Sequence, residues 1–157
     1  LNSVSEGRLS SESKLEIRGM LREVTEIESI GDSCYNLART INRKRSGGMD
    51  FTEKQYEHIH QMMHLTDNAL EQMVTLVEDE NHVVDVNKSF NIENEINNYR
   101  AQLKNQNVVD VNNKEYDYQM GVHYMDLIGE CEKLGDYVVN VVEARTNVKE
   151  KKTGDNR

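Results

Sequence analysis

A chain of 157 residues with no proline at any position lacks the residue that most firmly ends or kinks a helix. Glycine is sparse too, and its one tight cluster is SGG at 46–48. Polar caps and short loops are then the main punctuation left, and an all-helical fold is expected. The low hydrophobic fraction of 36% beside 30% charged residues is what amphipathic helices around a narrow shared core give. No apolar run approaches the roughly 20 residues that a membrane-crossing helix needs. The length fits one domain.

Four helices are predicted. The first runs from about Ser13 to Arg45, with Ser13 and Glu16 at capping-box spacing and a stripe of Met20, Ile27, Ile30, Cys34, Leu37 and Ile41. The second begins at Thr52, with Gln55 to close the box and Phe51 to staple onto Tyr56. Its stripe is Tyr56, Ile59, Met63, Ala69, Leu70, Met73 and Val77. EDENH at 78–82 is the next expected turn. A third helix is placed from about Val83 through Ile92, Ile96, Tyr99 and Leu103, because the strand-like HVVDVNKSF would have nothing to pair with. NVVDVNN at 107–113 reads as a loop. Asn112 is then expected to cap the fourth helix, with Glu115 closing its box, Val111 stapling onto Tyr116, and a stripe of Met120, Tyr124, Leu127, Cys131, Leu134, Val138 and Val141. Short connections favour an up-down antiparallel four-helix bundle over residues 13–148. Residues 149–157 read as a frayed polar tail. Residues 1–12, opening LNSVSEG without an initiator Met, read as a linker or tag remnant ahead of a domain drawn from a longer protein.

The net charge of −9 argues against nucleic acid as a partner, since phosphate binding needs a basic face, and is compatible with binding cations. The basic run Arg43-Lys44-Arg45 sits where a helix should end and reads as a complement to its dipole. Cys34 and Cys131 fall on apolar stripes and read as reduced core thiols. HQMMH at 60–64 resembles the zinc-protease pattern, but Gln61 replaces the acidic base, so His60, His64 and Asp67 read as a polar flank or an incidental metal site. No Ser-His-Asp arrangement and no Gly-rich phosphate loop is evident, so an enzyme is not expected. A carboxylate metalloenzyme bundle would need a Glu-x-x-His pair on each of two helices, which the chain lacks.

The chain also repeats itself. ESIGD at 28–32 returns as EKLGD at 132–136, and at an offset of 104 Glu26, Glu28, Gly31, Asp32 and Asn36 fall on Glu130, Glu132, Gly135, Asp136 and Asn140. The apolar stripes align in the same register, as expected of a duplicated unit. Spacing of four puts Glu28 with Asp32, and Glu132 with Asp136, on one helical face, where like charges repel by a few tenths of a kcal/mol. The mid-helix Gly costs about 1 kcal/mol relative to Ala. A bound cation would remove the repulsion, and Gly would admit a close neighbour. A solvated acidic face with Gly tolerated for packing is the alternative. Glu93 and Asn97, in IENEIN at 92–97, could face the second pair across a helix seam.

IESIGDSCYNLART and CEKLGDYVVNVVEAR resemble the acidic E-x-x-G-D signature helix of the PhoU family, regulators of phosphate uptake, and IENEINNYRAQL resembles that family's preceding helix. The resemblance runs over nearly all of residues 15–146, with 52–146 as one three-helix repeat and 13–45 as the last helix of a preceding repeat. It comes nearest to the PhoU-like cytoplasmic domain that follows the membrane helices of bacterial sodium/phosphate cotransporters. It implies a regulatory, non-enzymatic module on the cytoplasmic side of the inner membrane, partnered by a transporter domain of the same parent chain and open to homo-oligomerisation. A free-standing phosphate regulator and a helical adaptor without ligand are the alternatives. It also implies metal ions, iron, zinc or nickel, at the E-x-x-x-D motifs: Glu28 and Asp32, Glu132 and Asp136, with Glu93. Asn97 stands where the family often has Asp, and the first pair lacks its partner helices.

Overall fold

The computed structural model describes residues 10–47, 50–79 and 85–154. It contains four helices, α1 (Ser11–Gly47), α2 (Glu53–Glu78), α3 (Val86–Asn112) and α4 (Tyr118–Gly154), and no strand among the described residues. The fold is an all-helical bundle in which α2, α3 and α4 pack mutually, while α1 approaches α4 alone. No Cα of α1 comes within 8 Å of α2 or α3.

The start of α2 forms as its sequence dictates. Gln55 N donates to Thr52 Oγ1 at 3.2 Å and Thr52 N donates to Gln55 Oε1 at 3.0 Å, closing the capping box. The Phe51 ring meets Tyr56 edge-on at 5.6 Å. Lys44 Nζ lies 3.4 Å above the same ring, so this residue of the basic run packs as a cation on an aromatic face. The buried stripe of α2 is turned from the expected one. Met62 and Leu76 are inside, whereas Tyr56 and Met63 are exposed, because the helix faces both α3 and α4 and its inner side lies between the two.

The α3–α4 connection differs from expectation. NVVDVNN is helical, and α3 runs on to Asn112. Leu103, Asn107 and Val111, four apart, continue its inner face, while Val108 and Val109 are exposed. Asn112 is therefore the last residue of α3 and not a cap, and Val111 and Glu115 have no staple or box role. The chain turns at Lys114, which takes a positive φ of 59°. Asp117 Oδ1 then accepts from Met120 N at 2.7 Å and holds the start of α4. The start of α3 expected near Val83 lies outside the described residues, as does most of the EDENH turn. Asp85 caps the observed helix, accepting from Asn87 N at 3.1 Å. At the other end, α4 stays helical to Gly154, into the stretch expected to fray.

The fourth stripe is placed as expected. Tyr124, Leu127, Cys131, Leu134, Val138 and Val141 are all buried and Met120 is half-buried, and Ile128 and Val142 are buried as well. A helix touched on three sides must be apolar around most of its circumference. The first stripe splits instead. Ile30 and Leu37 are buried and Ile41 is half-buried, but Met20, Ile27 and Cys34 are exposed. The core assignment of Cys34 is thereby corrected: its thiol lines an open recess of about 350 Å³ between α1, α2 and α4, beside Met63, His64 and Leu70. Cys131 is buried and unpaired, and burial pushes its thiol up to about 11.

Candidate functional site

The repeated polar positions serve two different purposes. Those on one side of the signature helices build the antiparallel seam between α1 and α4. Asn140 Nδ2 donates to Glu26 Oε2 at 3.1 Å, Ser33 Oγ donates to Glu130 Oε1 at 2.7 Å, and Arg145 Nη1 pairs with Glu23 at 3.2 Å. Arg145 Nη2 also donates to the Val77 carbonyl at 2.8 Å, tying the end of α2 into the same joint. Glu26 and Glu130 are thus structural, and their recurrence reflects a two-fold-like joint of two related helices.

The pentapeptides themselves face elsewhere. On α4, Gly135 lies under α3: an added Cβ there would sit 3.1 Å from Ile96 Cδ1. Ile96 is completely buried. Glycine at this point allows α3 to approach closely, and the polar neighbours of Ile96 and Gly135 gather beside the contact. Arg100 Nε lies 2.5 Å from Glu132 Oε2. The contact is an ion pair and not an aligned hydrogen bond, since Arg100 Nε has no hydrogen-bond partner by geometry. Asn97 Nδ2 donates to Glu93 Oε1 at 2.7 Å, and its Oδ1 is buried without a partner. Burial raises the Asp136 carboxyl above its ordinary value, the charges of Glu132 and Glu93 raise it further, and Arg100 opposes them.

The structure therefore brings Glu93, Glu132 and Asp136 onto one α3–α4 seam and adds Arg100, which sequence reasoning did not single out. The signal was present, because Arg100 lies seven residues from Glu93 and three from Asn97, on the same face of α3. Glu28 and Asp32 remain apart from this seam, exposed on α1. The oxygen donors and the orphaned Asn97 carbonyl suit a hard or borderline cation in kind. Their arrangement does not hold one while Arg100 occupies Glu132. Among the described residues, no three His, Cys, Asp or Glu side chains converge as a metal-binding group. That includes the exposed His60 and His64 with Asp67.

The raised Asp136 carboxyl gives a signed prediction. The fold disfavours its charged form, so its contribution to stability is most favourable below the ordinary carboxylate pKa and is lost as pH rises through the raised value. Asp136→Asn should melt higher than the parent at pH 7, with the gap closing as pH falls through the carboxylate range. A lower melting temperature at pH 7 would show that a partner holds the ionised group.

A second recess, of about 260 Å³, lies where α2, α3 and α4 meet near the α3–α4 turn, between His58, Asn107, Asp110, Tyr116 and Tyr124. His58 Nδ1 lies 2.9 Å from Tyr124 Oη, and Tyr116 Oη donates to Asn107 Oδ1 at 2.7 Å. Burial first, and Lys54 second, lower the His58 pKa. These groups lie beside the α3–α4 turn and link α2, α3 and α4 there.

The PhoU domain family matches residues 59–144, most of α2, the whole of α3 and the first 27 residues of α4. No curated protein and no solved structure matches the chain. The match covers more than half of the sequence, contains the α3–α4 seam with all of its charged residues, and agrees with an all-helical bundle; the chain belongs to the PhoU domain family.

Proposed function

We propose that the chain is a regulatory module for phosphate uptake, the PhoU-type part of a sodium/phosphate cotransporter working on the cytoplasmic side of the inner membrane. The observation that carries the reading is the PhoU match over residues 59–144. PhoU is a regulatory, non-enzymatic family, which gives the chain a phosphate-related regulatory role. Support for the transporter attachment is the resemblance of GECEKLGDYVVNVVEA at 129–144 to the domain that follows the membrane helices of such transporters. No helix of the described residues is long and apolar enough to cross a membrane, so the transport path itself would be built by a membrane domain of the same parent chain.

On this reading the α3–α4 seam is the responsive element. A divalent cation, iron, zinc or nickel, that takes Glu93, Glu132 and Asp136 competes with the Arg100 guanidinium for Glu132. Occupancy of the joint between α3 and α4 then follows cation supply. At Glu28 and Asp32 the α1 copy has no such helix beside it, so that pair is the weaker site. Calorimetric titration with each metal should show binding that falls on Asp136→Asn and strengthens on Arg100→Gln, with a smaller change for Asp32→Asn. Chelation should leave the far-UV circular dichroism unchanged, because the core is apolar and independent of the seam. Radiolabelled phosphate uptake, in cells whose own copy carries Arg100→Gln or Asp136→Asn, tests the regulatory reading. Altered dependence of uptake on phosphate supply is expected. Unchanged uptake in both variants would refute the role.

A further inference from the structure

Among the described residues Gln55 is the most enclosed polar side chain, at 2% exposure. The two ends of its amide are used differently. Oε1 accepts from Thr52 N in the capping box, and that donor fixes which end of the amide is the oxygen. Nε2 therefore points the other way, buried and without a hydrogen-bond partner. It lies beside the Tyr116 hydroxyl, but no hydrogen bond of proper geometry joins them, and that hydroxyl gives its proton to Asn107. A buried amide nitrogen left unmet is rare and costly in a protein interior. Gln55 lines the recess of about 260 Å³ between α2, α3 and α4, so the orphaned donor belongs to its wall.

The recess is electrically lopsided. Its α2 wall is the first turn of that helix, the positive end of the macrodipole, and carries Lys54 beside Gln55. The opposite wall is the last turns of α3, the negative end, and carries Asp110, with Glu115 from the turn that follows. Gln106 Nε2 donates to Asp110 Oδ1 at 2.8 Å and steadies that carboxylate. Leu103, Tyr116 and Tyr124 supply the apolar lining. An inorganic anion would meet two carboxylates here. A metal ion would meet an ammonium and amide hydrogens, neither of which can ligate it. A small zwitterion satisfies both walls at once. A free α-amino acid has that form, with carboxylate and ammonium on one carbon and a side chain left over for the rings. The volume is ample for it, since a cavity of about 150 Å³ already admits benzene.

We propose that this recess binds a free α-amino acid, its carboxylate on Gln55 Nε2 and Lys54 and its ammonium on Asp110 and Glu115. The inference does not depend on the role in phosphate uptake.

Nitrogen-15 NMR of the whole chain, titrated in turn with L-alanine, L-serine, L-valine and L-leucine, tests it. At least one should shift the Gln55 side-chain amide pair saturably, together with the backbone signals of Lys54, His58 and Asn107. Acetylating the amine of that amino acid, or converting its carboxylate to the amide, should each weaken binding about tenfold or more, since each removes one charge-assisted contact. Gln55→Glu keeps an oxygen for the capping box but puts an acceptor where the free donor was. Its Kd should rise about tenfold or more, with helical circular dichroism unchanged. Asp110→Asn retains an oxygen for Gln106, and should weaken the amino acid but not its N-acetyl form. No saturable shift with any of the four overturns the proposal and leaves the recess to water. So does equal binding of the N-acetyl and amide forms, reproduction of the same shifts by inorganic phosphate, or binding indifferent to both variants.

Discussion

Leu134→Ala is expected to lower the unfolding free energy by about 2–5 kcal/mol, while Glu132→Ala, two residues away, stays within about 1 kcal/mol of the parent. Leu134 is 2% exposed and belongs to the central stripe of α4, the helix that contacts all three others. Truncation there leaves a cavity that the neighbouring helices cannot close without giving up contacts with one another. Glu132 is ion-paired with Arg100, but both side chains reach solvent. Its loss also relieves a repulsion on Asp136, and Asp136 remains close enough to answer the Arg100 charge. Urea unfolding of the two variants decides the matter. If the Glu132 change proves the more damaging, that ion pair anchors α3 to α4 and cannot be a joint that cations open.

The two ends of the glycine range should separate by a comparable amount. Gly31→Ala is expected to stabilise by up to about 1 kcal/mol, the helix-propensity difference, because nothing lies within 4 Å of the new methyl. Gly121→Ala should destabilise by about 1–3 kcal/mol through overpacking. Its Cβ would come within 2.9 Å of Val111 Cγ2 and 3.0 Å of Asn107 Oδ1. Val111 is short and branched, and Asn107 is fixed by Tyr116, so neither yields easily. Thermal melts of both variants on one buffer and scan give the comparison, and equal shifts would mean that the α3–α4 turn is looser than described.

The fold was largely legible from the chain because its helices are long, amphipathic and capped by side chains with local partners. The Thr52/Gln55 box and the Phe51–Tyr56 staple were readable for that reason. What failed were inferences about which side of a helix has a neighbour. Periodicity places Met20, Ile27 and Cys34 in a stripe with Ile30 and Leu37, and no local pattern says that half of that stripe has no helix over it. The α3–α4 boundary failed differently. Val, Asn and Asp are weak helix formers, so NVVDVNN reads as a break, yet Val111 and Asn107 pack against Gly121 and carry the helix through. In the candidate site the carboxylates could be located from spacing. The cation already beside them could not, since Arg100 reaches Glu132 across two helices and 32 positions of sequence.

The contact of Ile96 with Gly135 places one close approach of α3 and α4 directly beside the charged cluster, with Asn97 and Asp136 each the next residue along. The two helices meet again where Asn107 and Val111 lie against Gly121, 11 and 15 residues further along α3, so the end of the pair at the α3–α4 turn is tied. The other end carries no such turn between them: Val86 lies 10 residues from Ile96, and Gly154 lies 19 residues from Gly135, about 15 Å and 28 Å of helix. A charge rearrangement at the cluster therefore acts on a pair of helices tied by a turn on one side only, and its mechanical effect is directed away from that turn, toward the start of α3 and the end of α4.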